Sequence, residues 1–207
     1  GDVEQMTKSV KSAEGKGLDV YNTTSRFVGE KTLQVDGKRI AAPAILIAAG
    51  TRPSVPPVEG LEEAGYINSR TALGLKKLPD SIIIIGGGYV AAEFAHFFDS
   101  LGVKVTILGR NPRLLPQEEP EITDEMQRRL SGRMKVHTNH EAEKAGVENG
   151  NKFVVARNRK TGKKYRFRAK EIMVAAGRRS NSDLFHPEKT GVKTDKRGFV
   201  LVDKYLR

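Results

Sequence analysis

The sequence predicts an α/β fold in which helices flank a parallel sheet and an antiparallel β hairpin or meander adds a second sheet. Four isoleucines at residues 82–85 run into a glycine-rich turn, and a helical segment and another apolar strand follow that turn. This order predicts the parallel sheet. The antiparallel part is predicted by residues 153–158 and 165–168, which alternate apolar and polar side chains on either side of Thr161 and Gly162.

The first 75 residues predict a smaller group of strands ahead of that sheet. In order, the expected elements are a helix over residues 3–14, strands over 19–28, 32–35 and 43–49, an extended linker over 51–57, and a helix over 69–75 capped by Ser69. Asp36 and Gly37 form the turn after the second strand. Three prolines, Pro53, Pro56 and Pro57, favour the linker because proline disfavours the interiors of helices and strands.

The glycine-rich turn has the spacing of a dinucleotide-binding fingerprint. Gly86 permits a tight turn, Gly88 lets the backbone approach a pyrophosphate, and Ala91 is small enough for the helix to pack near the strand. The pyrophosphate would bind to the free N–H groups at the start of a helix over residues 90–101, where the helix dipole favours an anion. The context of strand, turn and helix therefore predicts a Rossmann-like nucleotide site more strongly than a structural glycine turn.

The elements after the fingerprint complete the predicted architecture. A strand over residues 104–108 makes a βαβ unit, in which the strands are expected to be parallel. The others are a helix over 120–130, a strand over 136–139, the hairpin, and a buried strand over 171–176 that ends at Gly177. The predicted domains are residues 1–50 as the remnant of one domain, 51–69 as a linker, 70–177 as the nucleotide-binding domain, and 178–207 as the start of a further segment.

Composition excludes several classes of site. The chain of 207 residues contains no cysteine, which excludes a disulfide, a thiolate metal site and a redox-active cysteine pair within it. No apolar run reaches the ~18 residues of a membrane helix, and residues 1–20 do not resemble a secretory signal. We therefore expect no membrane partner and a cytoplasmic location. His137 and His140 are expected on different faces of an extended segment, so no metal site is predicted there.

The net charge of +11 is concentrated near the carboxyl end. Residues 151–170 contain nine basic side chains and no acidic one, so two interpretations arise: a nucleic-acid surface, or a solvated hairpin whose long side chains cover its edges. The aromatic residues there, Phe153, Tyr165 and Phe167, do not clearly interleave with the basic ones. The solvated hairpin is favoured, and no nucleic-acid partner is expected.

Two segments of the chain resemble each other. Residues 43–52 and 171–179 both contain an apolar run that leads into Ala-Ala-Gly, and two residues ending in arginine follow each motif. Small residues at such a position let the backbone approach something closely, either a ligand or a neighbouring element.

These motifs together resemble the FAD- and NAD(P)-dependent pyridine nucleotide-disulfide oxidoreductase family, which includes dihydrolipoamide dehydrogenase, mercuric reductase and mycothione reductase. The resemblance is carried by three motifs: Ala48-Ala49-Gly50, Gly86-Gly87-Gly88-Tyr89 with Glu93 four residues later, and Ala175-Ala176-Gly177-Arg178. Alanine stands in both Ala-Ala-Gly motifs where the family has threonine, and Ser180 stands where the family has proline.

The resemblance implies a role for each matching residue. Tyr89 would lie over the flavin and move aside when the nicotinamide enters, and Glu93 would lie near the nicotinamide and its ribose. The alternatives are a tyrosine that packs on a neighbour and an ordinary helix carboxylate. The other matching residues are implied to bind cofactor. The nucleotide would be held by Gly177 and by the glycines of the turn, Gly86, Gly87 and Gly88. Arg178 would approach the flavin, while Ala49 and Gly50 would lie near the adenine or pyrophosphate of FAD.

The family's amino-terminal flavin fingerprint, its redox cysteines and its carboxyl-terminal dimerisation domain have no counterpart in this sequence. We therefore expect the nucleotide-binding portion of a flavoprotein disulfide reductase, together with strands of a partial flavin domain. The whole protein would pass hydride from NAD(P)H to FAD and electrons on to a disulfide-type acceptor, as a homodimer. The chain alone is expected to be colourless and inactive. The alternative is a free-standing nucleotide-binding or basic interaction module without catalysis.

The end of the second strand favours NADP(H) over NAD(H). In an NAD-selective site an acidic residue at this position binds the ribose 2′-hydroxyl, whereas this chain has Gly109, which would not repel a 2′-phosphate. Arg110 follows directly and Arg113 is close, and a guanidinium binds phosphate through paired hydrogen bonds. Arg110 is expected to contribute more. The alternative is that both arginines are solvated loop charges.

Overall fold

The computed structural model describes residues 17–207, so the helix predicted over residues 3–14 lies outside the described residues. The chain divides into two compact units, one formed by residues up to 51 together with 179–207 and the other by residues 52–178. The second unit contains residues 52–69 as well as the predicted nucleotide-binding domain. No helix among the described residues is long and apolar enough to cross a membrane.

The elements alternate between short strands and a few helices. The strands are β1 (Ser25–Gly29), β2 (Thr32–Val35), β3 (Lys38–Ala41), β4 (Thr51–Pro53), β5 (Ile67–Asn68), β6 (Ser81–Ile85), β7 (Lys104–Leu108), β8 (Lys135–His137), β9 (His140–Glu148), β10 (Asn151–Asn158), β11 (Lys164–Ala169), β12 (Glu171–Val174) and β13 (Arg178–Ser180). The α-helices are α1 (Leu61–Ala64), α2 (Tyr89–Ser100) and α3 (Pro120–Ser131), and short 3-10 turns cover Ala72–Gly74, Ser182–Leu184 and Pro187–Lys189.

The larger unit is built on a five-stranded parallel sheet with the order β5-β12-β6-β7-β8. β6 lies in its centre and pairs in parallel with β7 on one side and β12 on the other. This arrangement confirms the predicted α/β fold and its parallel βαβ unit. Because the carboxyl ends of parallel strands meet at one edge of the sheet, the turns after β6, β7 and β12 are neighbours.

The isoleucines of β6 are buried on both faces of the sheet. Ile82 and Ile84 belong to a core shared with α2 and α3, while Ile83 and Ile85 belong to a second core shared with α1 and β10. Ile82, Ile83 and Ile84 are each 0% exposed. A strand covered on both faces needs apolar side chains at every position, which explains a continuous isoleucine run instead of an alternating pattern.

The two longer helices have identifiable boundaries. The buried side of α2 consists of Ala91, Ala92, Ala95 and Phe98, at the spacing of three and four residues that places side chains on one helix face. The chain leaves α2 at Gly102, which has φ 81°. α3 begins at Pro120, whose missing N–H is not needed in the first turn.

The second face of the parallel sheet is covered by an antiparallel meander with the order β11-β10-β9. The predicted hairpin of β10 and β11 is confirmed, but β9 was not predicted as a strand. Its residues alternate charged side chains with small ones, and few of the β-branched or aromatic residues that favour strands are present. β9 includes Gly146, where a Cβ would lie 2.7 Å from the Phe153 ring. A side chain at residue 146 would therefore have to displace the Phe153 ring.

The smaller unit contains the antiparallel sheet β1-β2-β3. Asp36 and Gly37 form the predicted turn with φ angles of 48° and 74°, which suit a tight hairpin. Phe27 of β1 is 5% exposed and contacts Phe185 edge-to-face, with ring centroids 6.1 Å apart. β1 is shorter than the predicted strand, and β3 was not predicted.

Two predicted elements are wrong. Residues 43–49 are not a strand, and Leu46 is 88% exposed, because no strand among the described residues pairs with this segment. The helix predicted over residues 69–75 is reduced to the 3-10 turn Ala72–Gly74. Ser69 does not cap it: the side-chain oxygen of Asn68 accepts hydrogen bonds from the N–H groups of Arg70 and Thr71, at 2.9 and 3.2 Å. α1 and β5 lie within the predicted linker range.

Candidate functional site

The turn between β6 and α2 is held closely against neighbouring strands. Gly86 has φ 146°, and a Cβ at this position would overlap the carbonyl oxygen of Ala175. The Gly86 N–H donates to the Leu108 carbonyl at 3.0 Å, and the Ala175 N–H donates to the Ile85 carbonyl at 2.8 Å. The close approach of the strand ends therefore requires glycine at residue 86.

Gly88 faces open space at the amino end of α2. It is the N-cap residue, with φ −91° and ψ −173°, and nothing lies within 4 Å of the place that a Cβ would take. Within residues 17–207 no side chain caps this helix end, and the first N–H groups of an α-helix have no partner inside the helix. The helix therefore presents donors and an accessible backbone, which is an arrangement that binds phosphate groups.

Gly87 and Ala91 hold the turn against the protein interior. A Cβ at Gly87 would lie 3.4 Å from the Cα of Gly109 and from a methyl group of Leu114. Ala91 is 1% exposed and belongs to the core under α2. Small residues at both positions let α2 start close to the sheet, so the predicted fingerprint residues lie together at the carboxyl ends of β6 and β7.

Tyr89 and Glu93 lie on one side of the first turns of α2, since residues four positions apart are neighbours on a helix surface. Tyr89 is 61% exposed, and Glu93 is exposed as well. Neither side chain belongs to the core of this unit. Their catalytic roles stay predictions.

The end of β7 is fixed from two directions. The Gly109 N–H donates to the His137 carbonyl and the His140 N–H donates to the Gly109 carbonyl, both at 2.9 Å. On the other side, Leu114 is buried and the Leu115 N–H donates to the Gly87 carbonyl at 2.7 Å. The loop after β7 thus folds back onto the glycine turn, and the acidic-residue position of NAD-selective sites is occupied by Gly109.

The two arginines of this loop have different surroundings. Arg113 forms a two-pronged ion pair with Asp124 of α3, at 2.9 Å from Nε to Oδ1 and 3.3 Å from Nη2 to Oδ2. Arg110 is exposed, and its carbonyl oxygen accepts a hydrogen bond from Nη1 of Arg159 at 3.2 Å. Neither Asp124 nor Arg159 was singled out from the sequence, because both reach the loop from distant elements.

His137 and His140 were expected on different faces, and the structure shows that this is wrong. Asn139 has φ 57°, so the chain turns sharply between β8 and β9 and brings the two ring centroids to 5.4 Å. Burial lowers the pKa of His137 from its usual value, and His140 and Lys135 lower it further. His137 also lies against Phe167, with centroids 4.7 Å apart. Among the described residues no group of three or more potential ligands could hold a metal ion.

Gly177 lies just after β12, at the same edge of the sheet as the glycine turn. It has φ 115°, and nothing lies within 4 Å of a Cβ built there. Its carbonyl oxygen accepts a hydrogen bond from the Ser54 N–H at 2.9 Å. Arg178 follows it at the start of β13. The open space beside Gly177 is compatible with the predicted approach of a nucleotide, which stays a prediction.

Ala49 and Gly50 belong to the smaller unit, where Asn181 binds both. The Asn181 side-chain amide donates to the Ala49 carbonyl at 2.8 Å, and its backbone N–H donates to the Gly50 carbonyl at 3.3 Å. Gly50 has φ 63° and open space around it. These contacts fix the backbone of the motif, while the predicted role toward FAD stays a prediction.

Carboxylates of β9 neutralise part of the basic segment. Glu143 accepts from Arg157 at 2.5 Å and from Lys164 at 2.9 Å, and Glu148 accepts from Arg166 and Arg168 at 3.1 and 2.9 Å. Hydrogen bonds from these cations lower the pKa values of both carboxyl groups.

The aromatic residues of the basic segment also have partners within the sheet. The Arg166 guanidinium lies 3.7 Å from the centroid of the Phe153 ring, and Tyr165 lies 5.2 Å from His140 between ring centroids. Together with the ion pairs, these contacts support the interpretation of the segment as a solvated sheet surface.

A parallel sheet whose central strand ends in an open glycine turn, followed by a helix with free N–H donors, defines an α/β dinucleotide-binding fold. The family model described as pyridine nucleotide-disulphide oxidoreductase matches residues 1–207. This chain belongs to the pyridine nucleotide-disulphide oxidoreductase family, and it is a portion of a flavoprotein disulfide reductase. The family uses FAD and NAD(P)H and forms homodimers.

Individual relatives agree with this membership. The chain is 35% identical over 210 residues to a mercuric reductase of Staphylococcus aureus, covering 100% of this chain and 38% of the relative. It is 36% identical over 196 residues to a mycothione reductase of Mycobacterium tuberculosis, covering 92% and 41%. The solved Cu(II) complex of the HOCl-induced flavoprotein disulfide reductase RclA of Escherichia coli superposes with a TM-score of 0.88 at 28% identity, covering 100% and 46%. The chain therefore spans less than half the length of these relatives.

Proposed function

We propose that the glycine turn and the start of α2 bind the pyrophosphate of a pyridine dinucleotide. The observation that carries this proposal is the open space at Gly88, directly at the uncapped amino end of a 12-residue helix. Gly86 lies against the backbone of Ala175, and Gly87 lies against Gly109 and Leu114 of the loop after β7. These two glycines shape the turn, while Gly88 would be the position of closest approach. The helix N–H groups would donate to the pyrophosphate oxygens.

The adenosine end of the nucleotide would lie at the carboxyl end of β7, and we expect NADPH to bind more tightly than NADH. Gly109 supplies no carboxylate for a ribose 2′-hydroxyl, and the following residue is the exposed Arg110. Arg113 is already paired with Asp124. Arg110 is therefore expected to contribute more to binding of the 2′-phosphate, through charge-assisted hydrogen bonds.

In the whole protein, Tyr89 and Glu93 would act at the nicotinamide end. Tyr89 would cover the flavin and move aside when the nicotinamide enters, while Glu93 would accept a hydrogen bond from the nicotinamide or its ribose. Their exposure on the first turns of α2 leaves both side chains accessible to a ligand. Bound NADPH and FAD would supply the hydride chemistry, with a disulfide-type group as the final acceptor in a homodimeric enzyme.

Residues of the two Ala-Ala-Gly motifs would contribute contacts to FAD. Gly177 and Arg178 follow β12, and Ala49 and Gly50 form the motif that Asn181 holds in the smaller unit. The glycines at 50 and 177 have open space where a side chain would be, which suits close approach of a cofactor. These residues would bind and orient the flavin without taking part in proton transfer.

The site can be tested by closing the open space at Gly88. Titration calorimetry should show that Gly88→Val weakens NADPH binding at least about tenfold, or ~1.4 kcal/mol, because the new side chain occupies the approach of the pyrophosphate. Gly132→Val is the matched control: Gly132 has φ −73° at the end of α3, and a Cβ there makes only ordinary contacts. Unchanged NADPH affinity in Gly88→Val, or an equal loss in both variants, would contradict the proposed site.

A further inference from the structure

The turn between β10 and β11 carries Arg159 to the loop after β7. The Asn158 side-chain oxygen accepts hydrogen bonds from the N–H groups of Lys160 and Thr161, at 2.9 and 3.0 Å, which fixes the shape of the turn. The backbone N–H of Arg159 donates to the Asn139 carbonyl at 2.7 Å. The backbone of Arg159 is thus anchored to the chain between β8 and β9.

The guanidinium of Arg159 lies beside the loop that follows β7. Its Nη1 donates to the carbonyl oxygen of Arg110 at 3.2 Å, and Arg110 directly follows Gly109, which occupies the carboxylate position of NAD-selective sites. A phosphate bound by the Arg110 side chain would therefore lie within reach of a second cation. The approach comes from the meander, a part of the structure that the dinucleotide-binding fold does not itself require.

The hydrogen-bonding capacity of Arg159 is only partly used. The ion pair with Glu141 joins Nε to Oε2 at 3.6 Å, and the side chain is 48% exposed. A guanidinium has further N–H donors in a planar fork that matches phosphate oxygens. Arg113 differs, because both prongs of its guanidinium are bound to Asp124 at shorter distances.

We infer that Arg159 is a specificity-determining residue for 2′-phosphorylated adenine dinucleotides, binding the phosphate together with Arg110. This inference rests on the proposed nucleotide site. Arg159 acts in two ways: its positive charge attracts the phosphate, and its hydrogen bond to the Arg110 carbonyl holds the loop in place. The basic turn that resembles a solvated hairpin surface in the sequence thereby completes the nucleotide site.

The test is calorimetric titration of the chain and its variants with NADPH, NADH and adenosine 2′,5′-bisphosphate. Arg159→Ala should weaken binding of NADPH and of the bisphosphate about tenfold and change NADH binding less than about twofold, because NADH has no 2′-phosphate for the guanidinium to bind. Arg159→Lys should be intermediate, because it keeps the charge and loses the fork. Arg168→Ala is the matched control, since it removes the same charge from the same meander while its partner is Glu148, and it should leave both affinities unchanged.

The titrations distinguish a wrong nucleotide preference from a wrong role for Arg159. If the parent chain binds NADPH no more tightly than NADH, the proposed nucleotide preference is wrong and the inference falls with it. If the parent chain prefers NADPH and Arg110→Ala abolishes that preference while Arg159→Ala does not reduce it, the inference alone is wrong. A thermal unfolding midpoint is measured for every variant, so that a loss of affinity caused by unfolding is recognised. The Arg159→Lys variant provides a folded comparison if Arg159→Ala is unstable.

Discussion

Two segments of this chain end in Ala-Ala-Gly after an apolar run, yet they have different structures. The second segment forms β12, in which Met173 is 0% exposed. In the first, Leu46 occupies the corresponding position two residues before the motif and is 88% exposed. β12 lies between β5 and β6 in the parallel sheet, whereas no described strand pairs with residues 43–49. An apolar run therefore provides the capacity for burial, and partner strands decide whether burial occurs.

The largest expected difference between the segments is in the effect of core truncation. Met173→Ala should lower the free energy of unfolding by ~2–5 kcal/mol, because it removes a fully buried side chain and leaves a cavity. Leu46→Ala should change it by about 0.5 kcal/mol or less, since the side chain is already in water. Urea unfolding followed by circular dichroism measures both. Equal losses would show that residues 43–49 are buried in solution.

Replacing a glycine beside each motif with alanine should also lower the free energy of unfolding by different amounts. Gly86→Ala should cost about 3 kcal/mol, because a Cβ would overlap the Ala175 carbonyl and the strand ends would have to separate. Gly50→Ala should cost about 1 kcal/mol, since only the positive φ of 63° is unfavourable and no atom lies near. The comparison uses the same unfolding assay. A larger loss for Gly50→Ala would place a close neighbour beside that motif.

Amide hydrogen exchange should separate the two regions without mutation. Amides of residues 82–108 are expected to exchange at least about tenfold more slowly than those of residues 19–49, because opening the central sheet exposes both of its cores. Mass spectrometry of peptides from each region provides the measurement. Uniformly high protection across both would contradict the difference in burial on which the comparison depends.

The smallest expected effect concerns the meander that covers β12. Hydrogen bonds from Arg157 and Lys164 lower the pKa of Glu143 in the folded chain, so its contribution to stability is complete above the ordinary carboxyl pKa of about 4.3. It is lost as the pH falls through the lowered folded-state value. Glu143→Gln should therefore slightly lower the unfolding midpoint at pH 7, and the difference should shrink toward pH 3. A difference that grows with acid would contradict the assigned ion pairs.

The βαβ unit was predictable because its local signals agree with one another. β7 was predicted with its observed bounds, and α2 was predicted to within one residue at each end. The isoleucine run, the glycine turn and the alanine spacing of the helix all favour the same structure. β9 could not be predicted in this way, since its charged residues are stabilised by cations from β10 and β11 and not by an apolar pattern of its own.

The candidate site was only partly visible in the sequence. The glycines after β6 and Gly109 after β7 were found because the fingerprint has a fixed spacing. The pairing of Arg113 with Asp124, the contact of Arg159 with Arg110, and the approach of His137 to His140 were not found. The first two contacts depend on how separate elements pack, and the third depends on a single positive φ at Asn139. Such features leave no periodic pattern in the sequence.

The sequence by itself determined the parallel α/β class, the place of the glycine turn and the absence of an acidic residue at Gly109, because these follow from short-range patterns and residue identity. Only the tertiary structure decided which Ala-Ala-Gly segment became a buried strand, which arginine was bound by a carboxylate, and which distant guanidinium reached the end of β7. Those outcomes depend on contacts between residues far apart in the chain. Such contacts form, and contribute to stability, only once the sheet, the helices and the meander have assembled.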